Sequence, residues 1–395
     1  MFITDAVILD GARTPMARYM GSFDTTSAID LGAAASREAI RRSGADPTEF
    51  DHVIFGNVMQ TSSDALYGAR HVGLKAGLPI ETPAVTVNRL CGSGMESISQ
   101  AAQRILLGES KLILAGGMEN MSQSPHVIRG ARAGFKLGEG KLEDSLLSGL
   151  HDTYCGFSMS ETAENLAAEH GITREASDEY ALRSQQAAEA AVRAGRMKDE
   201  IVPVEVKKGK KTVTVAEDDH RRPDTTMAIL ASLQPAFRKD GLVTAGNASG
   251  IVDGAAAVVM THAKIAKEHG WKPIGRTVAW ATVGVPPGTM GIGPAPAIQK
   301  ALALAGLRLE QIDLIEVNEA FAAQYLAVEK VLGLNREKTN VNGGAIALGH
   351  PLAASGTRLV LTLLLELRRR NKRYGVASAC IGGGQGIALI VEALP

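Results

Sequence analysis

Apolar and polar positions along the chain follow two alternating rhythms. Short runs of aliphatic and β-branched residues, bounded by glycine or proline, stand at 6–11, 53–58, 84–87 and 111–117. Runs of that length and composition predict buried strands. Between them, residues 29–42, 66–76 and 95–107 carry apolar positions at three- and four-residue intervals, the rhythm of amphipathic helices. Strand following helix in this way predicts an α/β chain layered around a mainly parallel sheet.

The second half repeats the outline. Runs at 314–318, 339–344, 374–380 and 387–391 mirror the earlier strands, and a helix is predicted at 297–305. Two similar α/β halves follow, residues 1–117 with 249–270 and residues 271–395. Residues 118–248 break the rhythm and read as an insertion: methionines among glycines, one long helical pattern at 162–194, and two short strands flanking Lys207-Lys208-Gly209-Lys210-Lys211 as a charged hairpin tip.

Composition narrows the function by exclusion. Lys plus Arg equals Asp plus Glu at 42 each, so no global basic field points to nucleic acid. Three cysteines in 395 residues argue against a disulfide framework and for a reducing compartment. No CxxC or HExxH spacing offers a metal site. The N-terminus lacks a signal-peptide pattern, and the apolar run 359–365 is far short of the ~20 residues of a spanning helix. A cytoplasmic protein without membrane insertion is expected, or one of the mitochondrial matrix if the source is eukaryotic.

Three glycine-framed turns hold the reactive residue types. Cys91, in Leu90-Cys91-Gly92-Ser93-Gly94, falls where a strand gives way to a helix. The unpaired N–H groups and dipole of a helix start favour thiolate, and Gly92 and Gly94 are expected to leave open backbone for a substrate. Without partners, a lone cysteine more often simply packs. His350, in Gly349-His350-Pro351, is the candidate base. Cys380 opens the run Cys380-Ile381-Gly382-Gly383-Gly384-Gln385-Gly386, whose free N–H groups suit an oxyanion hole, and equally a phosphate cradle or a tight turn. Two further stretches invite ligand contact: the small-residue run 245–255, which equally suits tight packing, and His220-Arg221-Arg222-Pro223, a cation source or a surface turn.

Taken together, Leu90-Cys91-Gly92-Ser93-Gly94, Asn318-Glu319-Ala320-Phe321-Ala322, Gly349-His350-Pro351 and the Cys380 to Gly386 run resemble the signature blocks of the thiolases, and residues 247–254 resemble their coenzyme A signature. Among subfamilies, residues 70–74, 290–294 and 325–329 are similar to the mitochondrial-type 3-ketoacyl-CoA thiolases. The resemblance implies a layered αβαβα fold of two five-stranded mixed sheets with an inserted loop domain, and a homodimer or homotetramer. It implies that Cys91 carries the acyl group, that His350 activates it and, with a water held by Asn318, stabilises the substrate oxygen, and that Cys380 exchanges the second proton. The N–H groups of Cys91 and Gly382 resemble an oxyanion hole. Ser249 is similar to the serine beside the pantetheine arm, Arg222 to a residue at the nucleotide end, and Met159, Met290, Ala320 and Phe321 to the lining of the acyl pocket. Coenzyme A is then a substrate, with no covalently bound cofactor.

One departure is Ala353, where these enzymes usually have glycine; activity is expected to survive the added methyl. A second is Ser158, where short-chain members commonly have histidine, which favours a broader acyl range over strict acetyl-CoA acetyltransferase activity. A ketosynthase would need a second histidine where Cys380 stands. A cysteine hydrolase would let water reach the acyl group, and a non-catalytic CoA- or lipid-binding protein would not need the intact Cys91, His350 and Cys380.

Overall fold

The computed structural model describes residues 4–395. Nine strands form one continuous sheet path, in the order Leu314–Val317, Tyr374–Ile381, Gln385–Ala393, Gly275–Gly284, Ala6–Arg13, Val252–His262, Leu112–Glu119, His52–Gly56 and Ala84–Val87. The first half contributes five strands. They join the second half through a short antiparallel contact, Val7 with Arg276 and Ile8 with Gly275.

Helices cover both outer faces and fill the space between the halves. Helix Ala28–Ser43 packs outside the first half, and helices Pro294–Ala305 and Ala322–Leu332 outside the second. Between lie Ser93–Leu106 and Leu352–Arg369, which share one apolar core with strands of both halves. This is the expected αβαβα layering. Leu352–Arg369 is buried on nearly every face, which is why its centre is so rich in leucine; among the described residues no helix is long and apolar enough to cross a membrane.

The fifth strand of the second half is reduced to a single bridge from Ile315 to Thr339. The chain leaves strand geometry at Asn340, whose φ is 48°. Its side chain takes over the pairing: Oδ1 accepts from the Val317 N–H at 2.9 Å, and Nδ2 donates to the Val317 carbonyl at 2.9 Å. An amide side chain thus supplies what a further strand residue would.

The insertion also departs from expectation. The single helix predicted at 162–194 is two, Met159–His170 and Arg174–Arg193. Gly171 ends the first in the left-handed conformation, and the Thr173 hydroxyl caps the second. The charged hairpin is present as Val204–Lys208 against Lys211–Val215. Arg13 fastens the insertion to the first strand, its buried guanidinium 2.6 Å from both Glu200 and Asp218.

Candidate active site

Leu90, at φ 47°, turns the chain sharply after strand Ala84–Val87. A leucine is held there because the turn is tied on both sides. Asn88 Oδ1 accepts from the Leu90 N–H at 2.9 Å; Ser93 Oγ accepts from the Arg89 N–H at 2.9 Å and donates to the Leu90 carbonyl at 2.7 Å. Cys91 is delivered, half-buried, immediately before the helix cap Gly92. Gly92 and Gly94 do not open the backbone to substrate as expected. A Cβ on Gly92 would lie 2.6 Å from Ile381, and one on Gly94 would lie 2.5 Å from the Thr357 nitrogen and 2.6 Å from the Ala353 carbonyl. These glycines let the two middle-layer helices and the Cys380 strand close on one another.

The Gly382 to Gly384 run is the tip of a β-hairpin between Tyr374–Ile381 and Gln385–Ala393, with Gly383 and Gly384 left-handed. That settles its local form as a tight turn. It also brings the Gly382 N–H towards Cys91: this group and the Cys91 N–H both act on the sulfur in the direction of thiolate. These donors favour thiolate, but burial wins and pushes the thiol up to about 11. The helix start does act towards thiolate, as expected, but burial acts the other way and is the larger influence. Cys380, wholly buried, is pushed higher still by burial and by its neighbour Cys91.

His350 is the candidate base. Its backbone N–H donates to the Gly250 carbonyl at 2.9 Å. Nδ1 lies 2.6 Å from Ser355 Oγ, whose own proton goes to the Pro351 carbonyl at 3.0 Å. Ser355 can then only accept, so the network assigns the imidazole proton to Nδ1 and leaves Nε2 as a free base. Asn318 Nδ2 sits 3.3 Å from Nε2, while Asn318 Oδ1 is buried without a protein partner. Burial, assisted by Arg358, lowers His350 to about 3 and keeps the ring neutral. Ser355 escaped the sequence reading although it lies in the same turn, five residues on; a hydroxyl within reach of the ring was the available signal.

Cys91, His350 and Cys380 face one cavity of about 390 Å³, lined also by Ser249, Met159, Met290, Ala320 and Phe321. Ser249 is positioned because its N–H donates to the Ala320 carbonyl at 2.9 Å. A second space of about 210 Å³ meets the first at Cys91 and Met159 and reaches Gly382 and Gly383. Arg222 is not brought here: it is exposed, with its N–H bonded to Gln185 Oε1 at 2.9 Å, and Arg221 beside it pairs with Glu189. Ser158 lines the cavity while its hydroxyl serves a capping box with Glu161 that starts helix Met159–His170. Ala353 fits without disorder: its N–H donates to Glu119 at 3.0 Å in the first turn of Leu352–Arg369. Among the described residues no group of three potential ligands could hold a metal ion.

A thiol, a neutral imidazole with a free nitrogen, a second protonated thiol and two convergent N–H groups can run covalent acyl transfer with proton exchange. The comparisons agree. The family model for the thiolase N-terminal domain matches residues 6–264, and that for the thiolase C-terminal domain matches residues 271–393. The human mitochondrial 3-ketoacyl-CoA thiolase is 53% identical over 98% of this chain and 97% of its own. The acetyl-CoA acetyltransferase of Escherichia coli is 50% identical over 99% of each. The crystal structure of human mitochondrial 3-ketoacyl-CoA thiolase in complex with CoA superposes with a TM-score of 0.96 at 52% identity, covering 98% of both chains. With the geometry and nearly the whole length in agreement, this chain belongs to the thiolase family.

Proposed function

We propose that the protein cleaves 3-ketoacyl-CoA with coenzyme A, and runs the reverse condensation, through an acyl group on Cys91. The observation that carries this reading is the convergence on one cavity of Cys91, His350 and Cys380, with the Gly382 and Cys91 N–H groups acting on the Cys91 sulfur. In the cleavage direction the Cys91 proton passes to Nε2 of His350 and the sulfur attacks the 3-keto carbon. The developing oxyanion meets the two N–H groups that act on the sulfur. The carbon–carbon bond breaks, and its electron pair forms the enolate of acetyl-CoA. Protonated His350, and a water donating to the unpaired Oδ1 of Asn318, stabilise that enolate oxygen. Cys380, kept protonated by burial, gives its proton to the α-carbon. Coenzyme A then gives its thiol proton to the Cys380 thiolate and attacks the Cys91 thioester; the acyl–sulfur bond to Cys91 breaks, and the departing Cys91 thiolate takes back its proton from His350.

Mass spectrometry of the protein mixed with acetoacetyl-CoA should find an acyl adduct on Cys91, absent in Cys91→Ala. An adduct elsewhere, or none during turnover, overturns the assignment. Thioester loss only when CoA is supplied separates this reading from a hydrolase.

For the acyl range, the two spaces meeting at Cys91 support room for more than a two-carbon group, and Met159 and Met290 provide adaptable walls. Each buried methylene contributes about 0.8 kcal/mol, so medium-chain 3-ketoacyl-CoA is accepted alongside acetoacetyl-CoA. A negligible kcat/KM for the medium chain would leave the short-chain acetyltransferase reading standing. Ser249 contacts the pantetheine arm in this proposal; Arg222, outside the cavity, meets only the nucleotide end. Self-association is supported by the half-buried outermost strand Ala84–Val87 beside exposed Leu66 and Tyr67, and by exposed Ile128, Phe135, Leu137 and Leu142 on the insertion.

A further inference from the structure

Cys91 and His350 reach the cavity on turns from opposite halves of the chain. Their register matters, since a misplacement of about 1 Å can cost on the order of a hundredfold in rate. Glu119, the last residue of strand Leu112–Glu119, joins the elements that carry the two turns. It is wholly buried, and its carboxyl accepts four N–H groups. Oε1 takes Asn57 Nδ2 at 3.1 Å and the Met59 N–H at 2.9 Å; Oε2 takes the Val58 N–H at 3.3 Å and the Ala353 N–H at 3.0 Å.

One arm of this fork leads to His350. Pro351 caps helix Leu352–Arg369 without a side-chain bond, so Glu119 serves the Ala353 N–H in its first turn, where the helix dipole favours a carboxylate. Ser355, two residues on, holds His350 Nδ1 at 2.6 Å. A Cβ on Gly117 would strike the Ala353 carbonyl, so the strand and the helix start meet backbone to backbone. The other arm leads to Cys91. The Val58 carbonyl accepts from Asn88 Nδ2 at 3.3 Å, and Asn88 Oδ1 accepts from the Leu90 N–H at 2.9 Å, one residue before the sulfur. Val58, Met59, Leu352 and Cys91 also pack in one small apolar cluster.

A carboxyl buried without a cation is costly, and an apolar side chain of the same size would fill the site more cheaply. Only a group with two acceptor oxygens can take N–H groups from the loop and from the helix at once. We infer that Glu119 is a positioning residue that sets the Cys91 turn against the His350 turn. The inference rests on the acyl-transfer reading above. Proton transfer from Cys91 to Nε2 of His350 then depends on a side chain that touches neither of them.

The test is steady-state thiolysis of acetoacetyl-CoA well above the value of about 7 to which burial raises Glu119, so that the carboxylate is ionised. In Glu119→Gln the one remaining oxygen serves one side of the fork, and the amide NH2 faces the donors of the other. We expect kcat per folded enzyme to fall on the order of ten- to a hundredfold, with KM changed by no more than about twofold because Ser249 hangs on another element. A role confined to stability would lower the urea midpoint and leave kcat per folded enzyme unchanged, which overturns the proposal. Asn88→Ala cuts the same path beyond Val58, so the double variant should fall little below Glu119→Gln alone; effects that multiply, as at independent sites, overturn the path. Asn57→Ala, which removes one donor and keeps the carboxylate, takes the place of Glu119→Gln in this cycle if that variant does not fold. Should wild-type Cys91 fail to be acylated by acetoacetyl-CoA, the acyl-transfer reading itself falls; wild-type acylation with an unchanged kcat in the variants removes only Glu119.

Discussion

His350 lies between an acceptor, Ser355 Oγ at Nδ1, and a donor, Asn318 Nδ2 at Nε2, and its chemistry depends on which nitrogen carries the proton. Ser355 fixes that choice by accepting from Nδ1 at 2.6 Å. Ser355→Ala should therefore leave the ring in place with a mixed tautomer and a buried unpaired N–H. We expect kcat to fall about tenfold, the equivalent of one lost buried hydrogen bond, with KM little changed. Steady-state kinetics check this; an unchanged kcat would mean that the tautomer is set by another group. Cys380→Ser should still be acylated slowly at Cys91 by acetyl-CoA while losing carbon–carbon bond cleavage, read by comparing adduct formation from acetyl-CoA with acetyl-CoA release from acetoacetyl-CoA. Normal turnover in that variant would remove Cys380 from the proton exchange. At this scale much was legible: Cys91, His350 and Cys380 each sit at a glycine-framed turn, and reactive residue types at such turns announce themselves. The ionisation of Cys91 was not legible, because a helix start can be read from a pattern whereas the burial that outweighs it depends on segments hundreds of residues away.

At the scale of elements, the alternation of strand and helix was readable because short β-branched runs and helical spacing differ strongly. Failures fell where one side chain changes the outcome. Gly171 divides the insertion helix, and Asn340 replaces a strand residue by its own amide. The middle layer shows why the glycines near Cys91 were misread. Seen along the chain they look like open backbone; in space Gly94 meets helix Leu352–Arg369, and a Cβ on Gly356 would lie 2.5 Å from the Met95 nitrogen. Both contacts are with backbone, which cannot rotate aside. Gly94→Ala or Gly356→Ala should push the helices apart and destabilise the fold by about 1–3 kcal/mol or more, with the Cys91 turn displaced as well. Urea unfolding measures the first effect and the rate of Cys91 alkylation the second. A variant of wild-type stability would show that these helices can separate at little cost.

The whole molecule buries several carboxyls, and together they set a pH dependence. Burial raises Glu119 from 4.5 to about 7, Glu316 from 4.5 to about 8 and Asp253 from 3.8 to about 6. A carboxyl raised by folding binds its proton more tightly in the folded chain, so its contribution is complete below the ordinary value and is lost as pH rises through the folded one. His350 works in the opposite sense: lowered to about 3 from 6.5, it adds stability as pH rises across that interval and nothing further above it. Between about pH 3 and 6.5 the two tendencies compete. Above pH 6.5 the histidine is spent, and Glu119 and Glu316 alone slope downward until Cys91, raised to about 11 from 9.0, adds its own loss above pH 9. With about 1.4 kcal/mol per pH unit for each proton of difference, unfolding free energy should drop by on the order of 2–3 kcal/mol between pH 6.5 and 8.5. Replacing both carboxyls, Glu119→Gln with Glu316→Gln, should flatten that slope, since an amide has no proton to lose. Urea unfolding at the two pH values decides the point: a stability that holds level or rises over this range would mean that Glu119 and Glu316 are already ionised in the folded protein, with the Arg358 charge and the N–H groups around Glu119 outweighing burial.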